Sequence, residues 1–227
     1  MKTELILALD VDDLKMAKYF VNKLYPEIKI FKVGSQLFTA CGPRIIEWIN
    51  KKGAFVFLDL KFFDIPNTVA HAVRSAVRLK VKMLTLHILG DEEMIKAAVY
   101  AGRDEAKKLR VKKPLLIGVT VLTSKEAKSS DVLTLAKIGI ECGLDGVVCS
   151  AREAGVLRDS IKKEFIIVTP GIRSKGGIMN DQKRTATVSE AIDAGSNFLV
   201  VGRPILEAGN PRAAAKAMKG EIICQKR

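Results

Sequence analysis

The sequence is poor in residues that cross-link, ligate metals or span membranes. Its 227 residues hold four cysteines, Cys41, Cys142, Cys149 and Cys224, with no C-x-x-C spacing. That argues against a disulfide framework or a cysteine metal centre, and free cysteines among apolar neighbours behave as small hydrophobes. Only two histidines are present, His71 and His87, and neither offers Ser150 a base for nucleophilic work. Aromatics make up 6% of the chain, and no basic run is interleaved with them as on a nucleic-acid-binding surface. The apolar run at residues 5–9 is followed by Asp10, Asp12 and Asp13. It is too short and its flank too acidic for a signal or transmembrane helix, so a cytoplasmic protein with no membrane partner is expected.

What is present is a soluble-enzyme composition, 48% apolar and 28% charged, with a formal charge of +13. The basic residues are spread over most of the expected helices. The densest cluster, residues 103–113, also contains Asp104 and Glu105. A lysine-rich solvated surface accounts for this pattern, and its field would draw in an anionic small molecule. A non-catalytic nucleic-acid binder is the competing reading of the charge; its affinity would fall steeply with salt.

Apolar runs rich in β-branched residues recur at 5–9, 28–33, 54–60, 83–88, 115–122, 146–149, 165–168 and 198–201. Between them lie apolar residues at helical spacing, such as Leu14, Ala17, Phe20, Val21 and Leu24, or Val69, Val73, Ala76, Val77 and Val81. Near-continuous apolar strands alternating with amphipathic helices predict a parallel sheet, and eight repeats predict its closure into an α/β (β/α)8 TIM barrel spanning residues 1–227 as one domain. The sixth unit, with its short strand, is the weakest.

Polar residues fall where the predicted strands end. Asp10 follows the first, Lys32 the second, Asp59 and Lys61 the third, and His87 the fourth. Thr123, Ser150, Arg173 and the pair Gly202-Arg203 follow the fifth to eighth. In this architecture those ends share one face, where the active site is built. Asp59 and Lys61, two apart in a strand, point the same way. Lys32 ends the neighbouring strand, about 4.8 Å away, so an alternating Lys32, Asp59, Lys61 array is feasible. Such an array keeps lysines protonated beside a carboxylate, which suits delivery of a proton to a developing carbanion. Asp64 lies beyond the strand end, as a helix cap or a site residue. Gly202-Arg203-Pro204 leads into a helix, where backbone N–H groups and a guanidinium converge on an anion such as phosphate. Arg173 and the polar segment 174–183, read as a lid, supply the other half of that site, with Gln182 donating to a phosphate on closure. His87 is read as structural, and Trp48, beside Ile45, Ile46 and Ile49, as packing.

The run Asp59-Leu60-Lys61-Phe62-Phe63-Asp64-Ile65-Pro66-Asn67-Thr68 carries a resemblance. With Leu7-Ala8-Leu9-Asp10, Phe31-Lys32-Val33-Gly34, Val121-Leu122-Thr123-Ser124, Thr169-Pro170-Gly171-Ile172-Arg173 and Val201-Gly202-Arg203-Pro204, it resembles the bacterial orotidine 5'-phosphate decarboxylases. Asp-x-Lys-x-x-Asp alone marks a wider group of phosphosugar barrels; the Ile-Pro-Asn-Thr continuation is more specific. The resemblance implies conversion of orotidine 5'-monophosphate to UMP and CO₂ in pyrimidine biosynthesis, with no metal or organic cofactor. It implies that Asp10 and Lys32 hold the ribose, Asp59 faces the departing carboxylate, and Lys61 protonates the carbon left behind. Thr123 would read the pyrimidine, while Arg173, Gln182, Gly202 and Arg203 grip the phosphate. Asp64 and Thr68 would enter a neighbouring subunit's site, making a homodimer with shared active sites. A related Mg²⁺-dependent barrel, of the 3-keto-gulonate-6-phosphate decarboxylase or hexulose-phosphate synthase type, shares the shorter motif and is the nearest alternative.

Overall fold

Eight strands whose side chains are buried on both faces need two apolar layers, one inside a cylinder and one under a coat of helices. The computed structural model, which describes residues 3–122, 128–173 and 185–225, has that arrangement. In chain order the elements are β1 (Glu4–Ala8), α1 (Leu14–Leu24), β2 (Ile30–Gly34), α2 (Ser35–Cys41), α3 (Arg44–Lys51), β3 (Phe55–Phe62), α4 (Pro66–Arg78) and β4 (Met83–His87). They continue with α5 (Asp91–Leu109), β5 (Leu115–Val119), α6 (Ser129–Glu141), β6 (Gly146–Val148), α7 (Ala151–Ser160) and β7 (Ile166–Thr169). The chain closes with β8 (Ile172–Arg173), β9 (Ala186–Thr187), α8 (Val188–Asp193), β10 (Phe198–Val201), α9 (Arg203–Leu206) and α10 (Pro211–Cys224).

The barrel is closed and parallel, in the order β1-β10-β7-β6-β5-β4-β3-β2. Closure is made by β1, where Ile6 lies opposite both Ile30 of β2 and Val200 of β10. Ile6, Ala8, Ile30, Phe57, Met83, Ile117, Val168, Phe198 and Val200 fill the interior, and a larger cluster seals the strands to the helices. Phe57 is buried in that interior layer, and truncating such a residue to alanine costs about 3–5 kcal/mol through lost contacts and the cavity left behind. The helix coat begins where caps allow. The Asp13 carboxylate accepts from the Met16 amide at 2.8 Å, and Pro66 and Pro211 open α4 and α10, where a missing N–H costs nothing.

Three expectations shift at the strand ends. β5 stops at Val119 rather than at residue 122, and β2 continues to Gly34, so Lys32 sits inside the strand rather than at its tip. β3 runs on to Phe62, two residues past its expected end, because its pairing with β4 is irregular there. The sixth strand is indeed short, three residues. β8 and β9 form a separate two-stranded parallel sheet, Ile172 opposite Ala186, on either side of residues 174–184.

Candidate active site

The carboxyl ends of β1, β2, β3, β5, β6, β7 and β10 surround a cavity of about 560 Å³, a volume suited to a small-molecule ligand. Its lining divides by chemistry. Ala8, Phe57, Val119, Val148, Val168 and Val200 present apolar surface, whereas Asp10, Lys32, Asp59, Lys61, Arg173, Arg203 and Glu207 bring seven charges.

Four of those charges form a chain. Lys32 Nζ lies 2.9 Å from Asp10 Oδ1 and 3.6 Å from Asp59 Oδ2, and Lys61 Nζ lies 2.9 Å from Asp59 Oδ1. Asp59 is opposite Gly34 in the β2–β3 register, with Lys32 two residues earlier opposite Phe57. The Lys32 side chain therefore runs up along its own strand to reach the carboxylate. Gly34 leaves room for it, since a Cβ there would lie 3.1 Å from Lys32 Nζ. Burial pushes the Asp59 carboxyl up, but the Lys32 and Lys61 ammoniums and hydrogen bonds from Lys61 and Thr85 outweigh it and hold the group below its ordinary range. Asp59 is thus a partly buried carboxylate that stays ionised, compensated on both oxygens.

The expectation that Asp59 and Lys61 share a face holds, but plain strand alternation is only part of the reason. Lys61 has a φ of 51°, in the left-handed region, and the β3–β4 register shifts between Leu58 and Phe62. Asp59 and Lys61 face the cavity while Leu60 and Phe62 pack on the outer core.

Of the expected phosphate-site residues, Arg173, Gly202 and Arg203 line the cavity together. Arg173 Nη1 also donates to its neighbour's carbonyl, Ile172 O, at 3.1 Å. Thr123 and Gln182 lie outside the described residues, as does the segment 174–183 read as a lid. Asp64 and Thr68 are exposed and do not line this cavity. The Asp64 carboxylate accepts from the Ile65 amide at 2.7 Å, and Ile65 rather than Asp64 takes the N-cap position of α4.

Sequence reasoning missed several neighbours. Gln36 lines the cavity and donates to Asp12 Oδ1 at 2.6 Å, and Glu207 lines it near Arg203. Behind the charge chain, Thr85 is fully buried and bonded to Asp59 and Lys61; the available signal was a lone hydroxyl in the apolar run Met83-Leu84-Thr85-Leu86. His87 ends β4 with its ring 5.6 Å from that of Phe63 and its Nδ1 without a hydrogen-bonding partner among the described residues. Burial, and then the Lys61 charge, push its pKa below the ordinary value, which favours the neutral ring. Ser150 spends its hydroxyl on Glu153 Oε2 at 2.8 Å, within the cap of α7. Trp48 packs on the outer core, with Lys18 and Lys52 over its ring. Among the described residues, no three His, Cys, Asp or Glu side chains group as metal ligands.

Residues 3–218 match the family described as Orotidine 5'-phosphate decarboxylase / HUMPS family. The chain belongs to that family. An orotidine 5'-phosphate decarboxylase of Moorella thermoacetica is 44% identical, over 97% of this chain and 92% of its own length. One of Syntrophomonas wolfei is 46% identical, over 96% and 97%. Among solved structures, the orotidine 5'-phosphate decarboxylase of Lactobacillus acidophilus superposes with a TM-score of 0.86 at 35% identity, covering 97% of this chain and 99% of that one. Membership of the orotidine 5'-phosphate decarboxylase / HUMPS family agrees with the closed barrel.

Proposed function

We propose that this chain decarboxylates orotidine 5'-monophosphate to UMP and CO₂ in de novo pyrimidine biosynthesis, using its own side chains and no cofactor. The observation that carries the reading is the ionised Asp59 held between Lys32 and Lys61, in a cavity that also carries Arg173 and Arg203. The substrate bears two anionic groups of opposite use. Its phosphate is remote from the reacting carbon and is gripped by Arg173, Gln182, Gly202 and Arg203. Its carboxylate is seated beside Asp59, with Asp10 and Lys32 on the ribose and Thr123 on the base.

Two like charges about 4 Å apart repel by roughly 4 kcal/mol in an effective dielectric of about 20, so Asp59 disfavours the seated carboxylate. Phosphate and ribose contacts hold it there nonetheless. When the carbon–carboxylate bond breaks, its electron pair and negative charge stay on the pyrimidine carbon, and the group facing Asp59 leaves as neutral CO₂, which relieves the repulsion. The charge now lies on a carbon beside the Lys61 ammonium, which stabilises it and delivers a proton to it. Lys61 is the more exposed of the two lysines, at 37% against 13% for Lys32, so solvent can restore its proton.

The same reading takes residues 1–227 as one catalytic domain of a cytoplasmic homodimer, with nucleotide monophosphate rather than nucleic acid or membrane as partner. No helix among the described residues is long and apolar enough to cross a membrane. Asp64 and Thr68 are exposed beside Phe63 and Ile65, whose large apolar side chains are 61% and 66% exposed. That rim favours a two-fold contact in which Asp64 and Thr68 serve the partner's pocket.

The deciding experiment is the fall in ultraviolet absorbance on adding orotidine 5'-monophosphate in the presence of EDTA. Turnover unaffected by chelation is expected. No absorbance change with or without added Mg²⁺ would refute the activity, and turnover that requires Mg²⁺ would favour the metal-dependent phosphosugar barrels instead.

A further inference from the structure

Between Leu58 and Phe62, β3 takes four steps while β4 takes two, from Leu84 to Leu86. The run Asp59-Leu60-Lys61 is therefore bulged over a single β4 residue, Thr85. In an unbroken parallel ladder the strand amides would meet carbonyls of the neighbouring strand. Here the Lys61 amide donates to Thr85 Oγ1 at 2.9 Å, and Thr85 Oγ1 lies 2.9 Å from Asp59 Oδ1. The proton directions are unambiguous. A backbone N–H only donates and an ionised carboxylate only accepts, so the hydroxyl accepts from Lys61 and gives its one proton to Asp59.

This geometry has a cost that Thr85 offsets. A lysine in the left-handed region, at a φ of 51°, is disfavoured, and such a conformation persists only where its surroundings over-determine it. An amide stranded by the bulge adds a desolvation penalty unless it is bonded. Thr85 is fully buried, so water cannot substitute for its hydroxyl. Packing alone does not call for threonine in a run that otherwise reads Met83, Leu84 and Leu86.

We infer that Thr85 is a positioning residue, whose hydroxyl locks the bulged turn so that the Asp59 carboxylate and the Lys61 ammonium are presented to the cavity at a set separation. It touches no reacting atom. The inference rests on the proposed decarboxylation for its catalytic consequence, but not for its structural one.

Thr85→Val keeps the shape and removes the hydroxyl; Thr85→Ser keeps the hydroxyl and removes a methyl. Losing a hydrogen bond to a charged group corresponds to about a 10- to 100-fold fall in rate. That loss is expected in kcat for Thr85→Val, with KM changed less than about threefold because the phosphate contacts are untouched. Thr85→Ser is expected to restore kcat to within about threefold of the parent. Amide hydrogen exchange at Lys61, read by NMR, should be fast in Thr85→Val and slow in both the parent and Thr85→Ser. Thr85→Ala makes the same comparison if the valine chain does not fold. A valine or alanine chain with parental kcat and a slow Lys61 amide would overturn the assignment, as would a serine chain as damaged as the hydroxyl-free ones. If the parent itself does not turn over orotidine 5'-monophosphate, the functional reading fails, and exchange at the Lys61 amide alone decides whether Thr85 holds the turn.

Discussion

Replacing Lys61 with alanine separates the chemistry from the seating of the ligand. The site around it should survive, because Lys61's link to Thr85 runs through its backbone amide, which the substitution keeps, and because Asp59 retains Lys32 Nζ at 3.6 Å. Two losses follow at the reacting carbon. The ammonium no longer faces the developing negative charge; at about 4 Å and an effective dielectric of about 20, that is roughly 4 kcal/mol, or close to a thousandfold in rate. The general acid is also gone, a loss of about 10²–10⁴-fold in other enzymes. Both act through the same proton and charge, so they do not simply multiply, and a fall in kcat of at least about a thousandfold is expected. UMP lacks the reacting carboxylate and is held mainly through phosphate and ribose, so its Kd, measured by titration calorimetry, should change less than about tenfold. Single-turnover absorbance traces give the chemical step directly. A Lys61→Ala chain with near-parental kcat would refute the assignment of the acid; one that had lost UMP binding as well would show that Lys61 holds the pocket together rather than serving the reaction.

Arg203→Ala should raise KM by about 10- to 100-fold, the worth of a charge-assisted hydrogen bond, with kcat falling too if phosphate contacts help seat the carboxylate; initial-rate kinetics with both parameters unchanged would place the phosphate elsewhere. Mixing Lys61→Ala and Asp64→Ala chains and letting subunits exchange should recover about a quarter of parental activity, since about half the dimers are mixed and one pocket in each is then intact; mixed dimers shown by mass spectrometry to have formed without recovered activity would refute the shared site. The Asp59 carboxyl is held below its ordinary range in the folded chain, so the unfolded chain binds more protons there as the pH falls. Its contribution to stability is present above about pH 4, the unfolded value, and is lost as the pH drops through the lower folded value. Urea melts from pH 5 downward should give a shallower decline for Asp59→Asn than for the parent; equal slopes would mean that Asp59 is not held ionised by the fold.

Much of this molecule is determined by local sequence alone. Continuous apolar runs and period-3.6 apolar patterns depend on neighbours a few residues away, so β1 to β7, β10 and their helices are legible in the chain itself, and eight alternating units leave little choice but closure. Once the barrel is assumed, its rule that strand ends share one face brings Asp10, Lys32, Asp59, Lys61, Arg173 and Arg203 together, and all six line the cavity. Tertiary structure alone decided how the charges meet. The Lys32 ammonium reaches Asp59 because β2 runs past it to Gly34, where the absence of a side chain leaves it room. Asp59 and Lys61 are set by a bulge whose register depends on β4, more than twenty residues away, and by the Thr85 hydroxyl at its centre. A register shift carries no periodic signature, and a threonine in an apolar strand looks like packing. Its meaning depends on which atoms the neighbouring strand leaves without partners, and that exists only once the two strands are paired.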